Sequence, residues 1–445
     1  MHRTTDNNCG NYEVADFHID NFQKIADVKI CDIRFEENQN LLIFPDCLNQ
    51  HGDRIGDDKI FSLCESKLTT GNIMGFVGVN DSELKIQSRF TKRNEEDYFL
   101  YYMLQKVFSM NMFDLKHSYN QESIFDFLLY LFPYYLKKAL RQGLFKEYQH
   151  REYNDVNVRG SINVDRHIQT NIPFTGRIAY RTKEYSYDNC ITQLVRHTIE
   201  HIRKHPFGQN ILTNDSETQS YISQIIIATP SYDRNKRHIV LNSNIKPISH
   251  PFFFAYRDLQ KICSQILRYE GLKYGDAKDK VYGLLFDGAW LWEEYLNTIL
   301  DKYDFIHPEN KSGKKAIYLF ENSRGKRFPD FWKENIVLDA KYKKLAGKDC
   351  ESIDRNDMHQ IVSYMYVKQA NLGGFICPSD DTSQEKIFCS SLGNLNGYGG
   401  EVKLWSIPIP QTAKNYSDFC NEMNCCEKIF DESIVSYIHE FGISK

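Results

Sequence analysis

In the stretch FPDFWKENIVLDAKYKK (residues 328–344), Pro329-Asp330 is followed nine residues later by Asp339-Ala340-Lys341. Asp339 closes the apolar run Ile336-Val337-Leu338, which reads as a buried strand. Side chains two apart on an extended chain point to the same face, so Asp339 and Lys341 project together. A hairpin partner carrying Asp330 brings a second carboxylate alongside. Two carboxylates and a lysine at one strand end suit metal-assisted hydrolysis of a phosphodiester. The carboxylates hold Mg2+, which polarises the scissile phosphate and lowers the pKa of a bound water. The lysine adds positive charge near that water and the developing negative charge.

This is the pattern of the PD-(D/E)xK nucleases, although the bare pattern recurs elsewhere in the chain. Pro45-Asp46 precedes Asp57-Asp58-Lys59, and Asp276-Ala277-Lys278 repeats the triplet, but both lie in polar, turn-like stretches with no apolar strand before them. Two more residues fit the 330–341 copy. Glu293, in Leu291-Trp292-Glu293, sits on a helix just before the sheet, where this nuclease class often places a third acidic group. Gln360 and Tyr364 are four apart on the following helix and share a face, so Gln360 is placed to bond a nucleotide or an active-site group. Residues 302–348 carry 12 Lys/Arg against 6 acids, a local excess within a chain of net charge −4. Such a cluster gives sequence-independent affinity for phosphates. Phe328, Phe331 and Trp332 read as packing residues.

The elements that position these residues alternate strand and helix from residue 315 onward: strands over 316–320, 336–339, 374–377 and 402–407, and a helix over 357–369. That is a mixed α/β sheet. Upstream, strands are predicted over 28–35, 73–79 and 84–86, helices over 98–107 and 124–144, a strand over 156–164 and a helix over 189–205. Residues 208–219 read as a linker or surface loop, and helices are predicted over 253–269 and 281–300. A boundary near 270 divides an N-terminal α+β region (1–270) from a nuclease domain (271–445).

The 445 residues are 41% apolar and 26% charged, an ordinary globular composition. The longest apolar run, 125–136, is too short for the ~20 residues that span a bilayer, and no signal-peptide pattern opens the chain. The twelve cysteines include no CxxC pair, which fits scattered, reduced core thiols in a cytoplasmic protein. His197 and His201 are spaced i, i+4 without an evident third ligand and read as ordinary helix residues. No G-x-x-x-x-G-K-[ST] occurs, so no nucleotide site is expected.

The chain resembles the McrC family, the nuclease subunits of McrBC-type modification-dependent restriction systems. Gly143-Leu144 with Tyr148, Val158-Arg159-Gly160-Ser161-Ile162-Asn163-Val164 and His167-Ile168 look like a GL-x-x-x-Y segment followed by an RG-x-I-x-V block. Glu184-Tyr185-Ser186 with Asp188-Asn189 looks like the family's E-[YF]-[ST]-x-D-N block, and Leu291-Trp292-Glu293 its L-[FW]-E helix. Pro329-Asp330, Leu338 to Lys343 and Gln360 match its nuclease core, whereas Ser161 stands where members commonly have a second basic residue. The resemblance implies a Mg2+-dependent (or Mn2+-dependent) DNA endonuclease whose N-terminal half docks a hexameric AAA+ GTPase of the McrB type and stimulates it. It assigns Asp330, Asp339 and Lys341 to catalysis, with the two aspartates on the metal, Glu293 as an auxiliary acid and Gln360 as a helper. Two rival readings remain open: a stand-alone repair or recombination nuclease, and a GTPase-activating scaffold with a silent nuclease centre.

Overall fold

The computed structural model describes residues 2–30, 41–44, 59–80, 82–92, 96–108, 123–205, 208–213, 215–274, 281–308, 316–380, 388–397 and 399–441. The chain forms two compact units: Met1–His117 together with Ala277–Lys445, and the intervening Ser118–Asp276. The expected boundary near 270 falls beside the second junction. The first junction, after residue 117, was not anticipated, and residues 1–117 group with the C-terminal part of the chain.

The opening segment holds β1 (His2–Thr5), β2 (Tyr12–Glu13), α1 (Asp16–Gln23), β3 (Leu41–Phe44), β4 (Phe61–Cys64), β5 (Lys67–Thr70), β6 (Ile73–Val79), β7 (Ser82–Gln87) and α2 (Tyr98–Val107). Strand 73–79 and helix 98–107 form where the apolar pattern places them. Of the strand expected over 28–35, the described residues show an isolated bridge from Lys29 to Lys59, and 31–35 lie outside the described residues. Asp6, fully buried after β1, accepts from the Arg89 backbone N–H and, at 2.8 Å, from Arg89 Nε.

The intervening unit contains α3 (Ser123–Leu140), β8 (Glu147–Asp155), β9 (Ser161–Ile162), α4 (Val164–Thr170), β10 (Ile178–Ser186), α5 (Cys190–Ile202), α6 (Gly208–Thr213), α7 (Ser216–Ala228), α8 (Arg237–Ser243) and α9 (Ala255–Tyr274). Its small sheet runs β8-β10-β9, all antiparallel. The strand predicted over 156–164 is a turn followed by the two-residue β9, because Asn163 caps α4 by accepting from Arg166 N–H and ends the extended stretch. Gly160 is required there, since a Cβ would lie 2.1 Å from the Arg181 carbonyl oxygen. The expected loop over 208–219 is instead α6 and the start of α7, capped by Asp215, which accepts from Thr218 N–H at 2.8 Å. Asp188 and Asn189 do structural work. Asn189 caps α5 and donates to the Phe145 carbonyl at 3.0 Å, while Asp188 accepts from Gln193 and from Ser231 N–H.

The chain then returns to the first unit through β11 (Val281–Asp287), α10 (Gly288–Leu300), β12 (Ile317–Phe320), β13 (Arg324–Arg327), β14 (Phe331–Lys333), β15 (Ile336–Ala340), α11 (Arg355–Lys368), β16 (Leu372–Ser379), β17 (Cys389–Asn394), β18 (Glu401–Pro408) and α12 (Tyr416–Phe441). The helix predicted from 281 starts only at 288. Residues 281–287 pair antiparallel with β6 and parallel with β3, giving the sheet β1-β7-β6-β11-β3. An apolar run covered on both faces has no readable period, so the pairing partners decide its conformation. A core of Phe22, Ile25, Phe61, Val77, Leu84 and Leu285 lies against this sheet.

The second five-stranded sheet runs β14-β15-β16-β18-β17, with β15, β16 and β18 parallel and the two edges antiparallel. The α11 helix crosses from β15 to β16. Two glycines in β16 permit close packing: a Cβ at Gly373 would lie 2.2 Å from the Met365 sulfur, and one at Gly374 would lie 2.1 Å from the Trp405 ring. The expected mixed α/β architecture is what the chain adopts.

Ten cysteines among the described residues are thiols outside any disulfide. Cys263, Cys377, Cys420 and Cys426 are buried as expected of core thiols, whereas Cys9, Cys64, Cys350 and Cys425 are exposed. Among the described residues, no helix is long and apolar enough to cross a membrane.

Candidate active site

The register of β14 on β15 brings the two aspartates together. Phe331 pairs with Leu338, so the residue before one lies opposite the residue after the other, which sets Asp330 beside Asp339. The Ala340 backbone N–H donates to Asp330 Oδ2 at 2.7 Å and fixes that carboxylate. Asp339 is 1% exposed, and neither of its oxygens has an aligned hydrogen-bond donor. Lys341 Nζ lies 2.6 Å from Asp339 Oδ2 as an ion pair off the hydrogen-bonding direction. Burial and the Asp330 carboxylate push the Asp339 carboxyl well above the usual range, against the pull of Lys341.

Lys341 extends from the end of β15, its N–H continuing the parallel pairing onto the Ile376 carbonyl at 2.9 Å. Its ammonium donates to Gln360 Oε1 at 3.1 Å and lies 3.6 Å from Asp357 Oδ1. Burial opposes its charge, but the surrounding carboxylates, Asp339 first, outweigh burial and raise its pKa. Gln360 Nε2 donates to Tyr364 Oη at 2.8 Å, and that hydroxyl donates to the Phe328 carbonyl at 3.2 Å. A continuous polar chain therefore links the lysine to the segment that delivers Asp330.

Glu293, expected as an auxiliary acid, lies on α10 beside His307. Trp292 turns inward and donates from Nε1 to the Ile376 carbonyl at 3.1 Å, which fastens α10 to β16. Glu293 Oε1 lies 3.8 Å from His307 Nε2, and His307 Nδ1 is 2.8 Å from the Asp330 carbonyl. Glu293 thus borders the aspartate pair through an intervening imidazole. Burial lowers the His307 pKa, but Glu294 and the Asp330 carbonyl outweigh burial and the net shift is upward. Phe331, fully buried, stacks on the His307 ring at 4.9 Å between centroids, in keeping with its reading as a packing residue.

His307 and Asp357 are the residues that sequence reasoning missed. Asp357 had a faint signal, one helical turn before Gln360 on the same face; His307 had none, as its partners lie on α10 and at the start of β14. Of the competing triplets, Asp46, Asp57, Asp58, Asp276 and Lys278 lie outside the described residues. Lys59 pairs with Asp27 at 2.7 Å.

Tyr342, next to the lysine, is anchored in the N-terminal part of the same unit. Its hydroxyl shares a 2.7 Å hydrogen bond with Ser88 Oγ, and the Arg89 guanidinium lies 4.9 Å above its ring. Gly288 allows this fit, since a Cβ there would approach Tyr342 Cε1 to 2.8 Å.

The donor set can be tested against a divalent cation. Among the described residues, no three His, Cys, Asp or Glu side chains gather as a protein-only cage. Mg2+ does not need one, since it keeps several waters and takes one or two carboxylates. The buried Asp339 carboxylate beside Asp330 fits that requirement. Asp339 is buried and its carboxyl is pushed above the usual range, so a cation held there would favour its ionised form.

Among solved structures, the chain is similar to the Thermococcus gammatolerans assembly of McrB AAA+ hexamers with bound McrC, at 15% identity and TM-score 0.46 over 92% of each chain. A second structure, the cryo-EM McrBC complex of the same organism, matches at 13% identity and TM-score 0.33 over 69% of this chain and 89% of that one. No curated protein matches it. The family model described as McrBC 5-methylcytosine restriction system component matches residues 68–378, from β5 to β16 and across the whole aspartate–lysine site. Covering more than half of the chain, that match makes this protein a member of the McrBC family.

Proposed function

We propose that the chain is the Mg2+-dependent DNA endonuclease subunit of a GTP-driven McrBC-type restriction complex, built on a PD-(D/E)xK site. The observation that carries this reading is the convergence of Asp330, Asp339 and Lys341, with Asp339 buried and the Lys341 ammonium 2.6 Å from its Oδ2. Asp330 and Asp339 would hold the cation, which when bound supplies charge on the scissile phosphate and activation of water. Lys341 places an ammonium beside the attacking water and the charge that develops on the phosphate. Gln360 fixes the direction of that ammonium, and Tyr364 fixes Gln360. Water attacks phosphorus, one P–O ester bond breaks and a proton from the water ends on the leaving oxygen, so the cut strand ends in a phosphate and a hydroxyl.

Partner docking falls to the N-terminal region (1–270), with GTP hydrolysis supplied by an AAA+ partner of the McrB type. Within it, the intervening unit carries a run of exposed apolar side chains, including Val156, Ile162, Val164, Ile168, Ile172 and Phe174. Exposure of that kind marks a surface that another protein covers.

The test is to mix the chain with an McrB-type GTPase, GTP and Mg2+ and to score double-strand cuts in methylated and unmethylated plasmid. Cutting that needs GTP and the partner supports the reading. Cutting by the chain alone, without GTP, replaces it with a stand-alone nuclease; GTPase stimulation with no cutting replaces it with a scaffold.

His307 gives a prediction of its own. By holding the Asp330 carbonyl it orients a ligand-bearing loop, and loss of such outer contacts costs about 10–100-fold in metal affinity. His307→Ala should weaken Mn2+ binding to that extent in calorimetric titration of the chain alone. An unchanged affinity would remove His307 from the site.

A further inference from the structure

The β12–β13 hairpin has one face built unlike the rest of the unit. Register sets Tyr318 opposite Lys326 and Phe320 opposite Arg324, so these four side chains share a face. All are exposed, Phe320 at 66%. Aromatic and cationic side chains therefore alternate across the two strands. The opposite face is anchored: Ile317 is buried in the core with Val337, Ile361 and Tyr364. Gly325, at φ +69°, lies against Phe320, and a Cβ there would meet its ring at 2.8 Å. The glycine thus seats an aromatic ring that remains largely in solvent.

Charge points the same way. Much of the basic excess over 302–348 is neutralised locally: Lys343 pairs with Asp357 at 2.6 Å, Lys344 with Asp380 at 2.6 Å, and Lys302 with Asp431. Arg324, Lys326 and Arg327 have no carboxylate partner among the described residues, and Glu321 is the one acid in the hairpin. Position completes the case. Arg327 is three residues before Asp330, and the Phe328 carbonyl between them receives the Tyr364 hydroxyl that ends the chain from Lys341.

We propose that Tyr318, Phe320, Arg324 and Lys326 form a DNA-gripping face that holds the duplex beside the phosphate to be cut. The inference rests on the nuclease reading above. Four residues of extended chain between Lys326 and Asp330 span at most about 14 Å. That distance is about four base pairs at 3.4 Å each, so the Lys326 end of the grip falls within about four base pairs of the cut. Arg324 and Lys326 hold phosphates, while the two rings press on sugar or base surfaces.

The experiment measures binding of a short fluorescein-labelled duplex by the full-length chain, in EDTA, across a salt series. Arg324→Gln with Lys326→Gln should weaken binding and lower the slope of log K against log salt by about two, one phosphate per cation. Phe320→Ser should weaken binding on the order of ten-fold and leave the slope unchanged. All three sites are exposed, so melting temperatures should match the unsubstituted protein. Wild-type affinity and slope in the double variant would overturn the proposal. So would variants that hold DNA normally but fail to assemble with the GTPase, which would make the face a protein dock. Lys341→Gln runs in parallel: if it still cuts DNA in the assembled complex, the catalytic reading fails while the hairpin result stands. A wild-type chain that binds no duplex would overturn the hairpin proposal and leave the nuclease reading to the cutting assay of the assembled complex.

Discussion

Lys341→Ala is expected to reduce DNA cleavage by the assembled complex at least about 10²–10³-fold, the usual loss when one charge-stabilising group is removed from a developing oxyanion. The fold should survive. Asp339 loses its ion pair, but a buried carboxyl already held above its ordinary pKa can take a proton instead of standing as a bare charge. Metal binding separates this variant from Asp339→Asn. Without the ammonium, two carboxylates still face one another, so Mn2+ affinity should not fall in Lys341→Ala, whereas Asp339→Asn should lose both metal and cleavage. Calorimetry on the two variants, beside a plasmid-nicking assay, reads the difference. Cleavage at the wild-type rate in Lys341→Ala would end the assignment, and lost metal binding in that variant would recast the lysine as a structural strut.

Asp6→Ala should have the largest effect on stability. The carboxylate is fully buried and answers the Arg89 guanidinium, whose side chain is 12% exposed. Removing one member of such a pair leaves the other charge buried and unanswered, at a cost of about 3–5 kcal/mol. Arg89 also lies over Tyr342, so the loss should be felt next to Lys341. Urea denaturation checks the size, and a loss below about 1 kcal/mol would show that Arg89 finds another partner. The same pair predicts a pH dependence. Burial outweighs Arg89 and raises the Asp6 pKa to about 6, from 3.8. A raised carboxyl pKa contributes stability at low pH that is lost as the group ionises. The wild type should therefore lose stability relative to Asp6→Asn as the pH rises from about 4 to about 6, and hold level above that.

What could be read in the sequence was the part encoded locally. The run Ile336-Val337-Leu338 ends in ionisable residues, a pattern with few explanations, and the alternation rule alone sends Asp339 and Lys341 the same way. The structure brings Asp330, Asp339, Lys341 and Gln360 together and sets Glu293 one imidazole away. His307 could not be read because its contacts come from elements separated in sequence. Residues 281–287 were read as helix for a related reason: their conformation is fixed by pairing with Ile73–Val79, some 200 residues earlier. Of Asp188-Asn189, suggestive as a motif, Asn189 caps a helix and Asp188 holds Gln193 and the Ser231 backbone.

That distant pairing also bears on how the protein is made. The β11 strand joins β6 to β3, so among the described residues β3 has no sheet partner until residues 281–287 have left the ribosome. Residues 118–276 come first, a delay of roughly 10–30 s at 5–20 residues per second. The strand that completes the N-terminal sheet runs directly into α10, the helix fastened to the strand behind the aspartates. On the nuclease reading, a nascent chain therefore exposes the unit proposed to dock the GTPase before it holds a cutting centre, and a transcript truncated before residue 281 yields a protein without Asp330, Asp339 and Lys341.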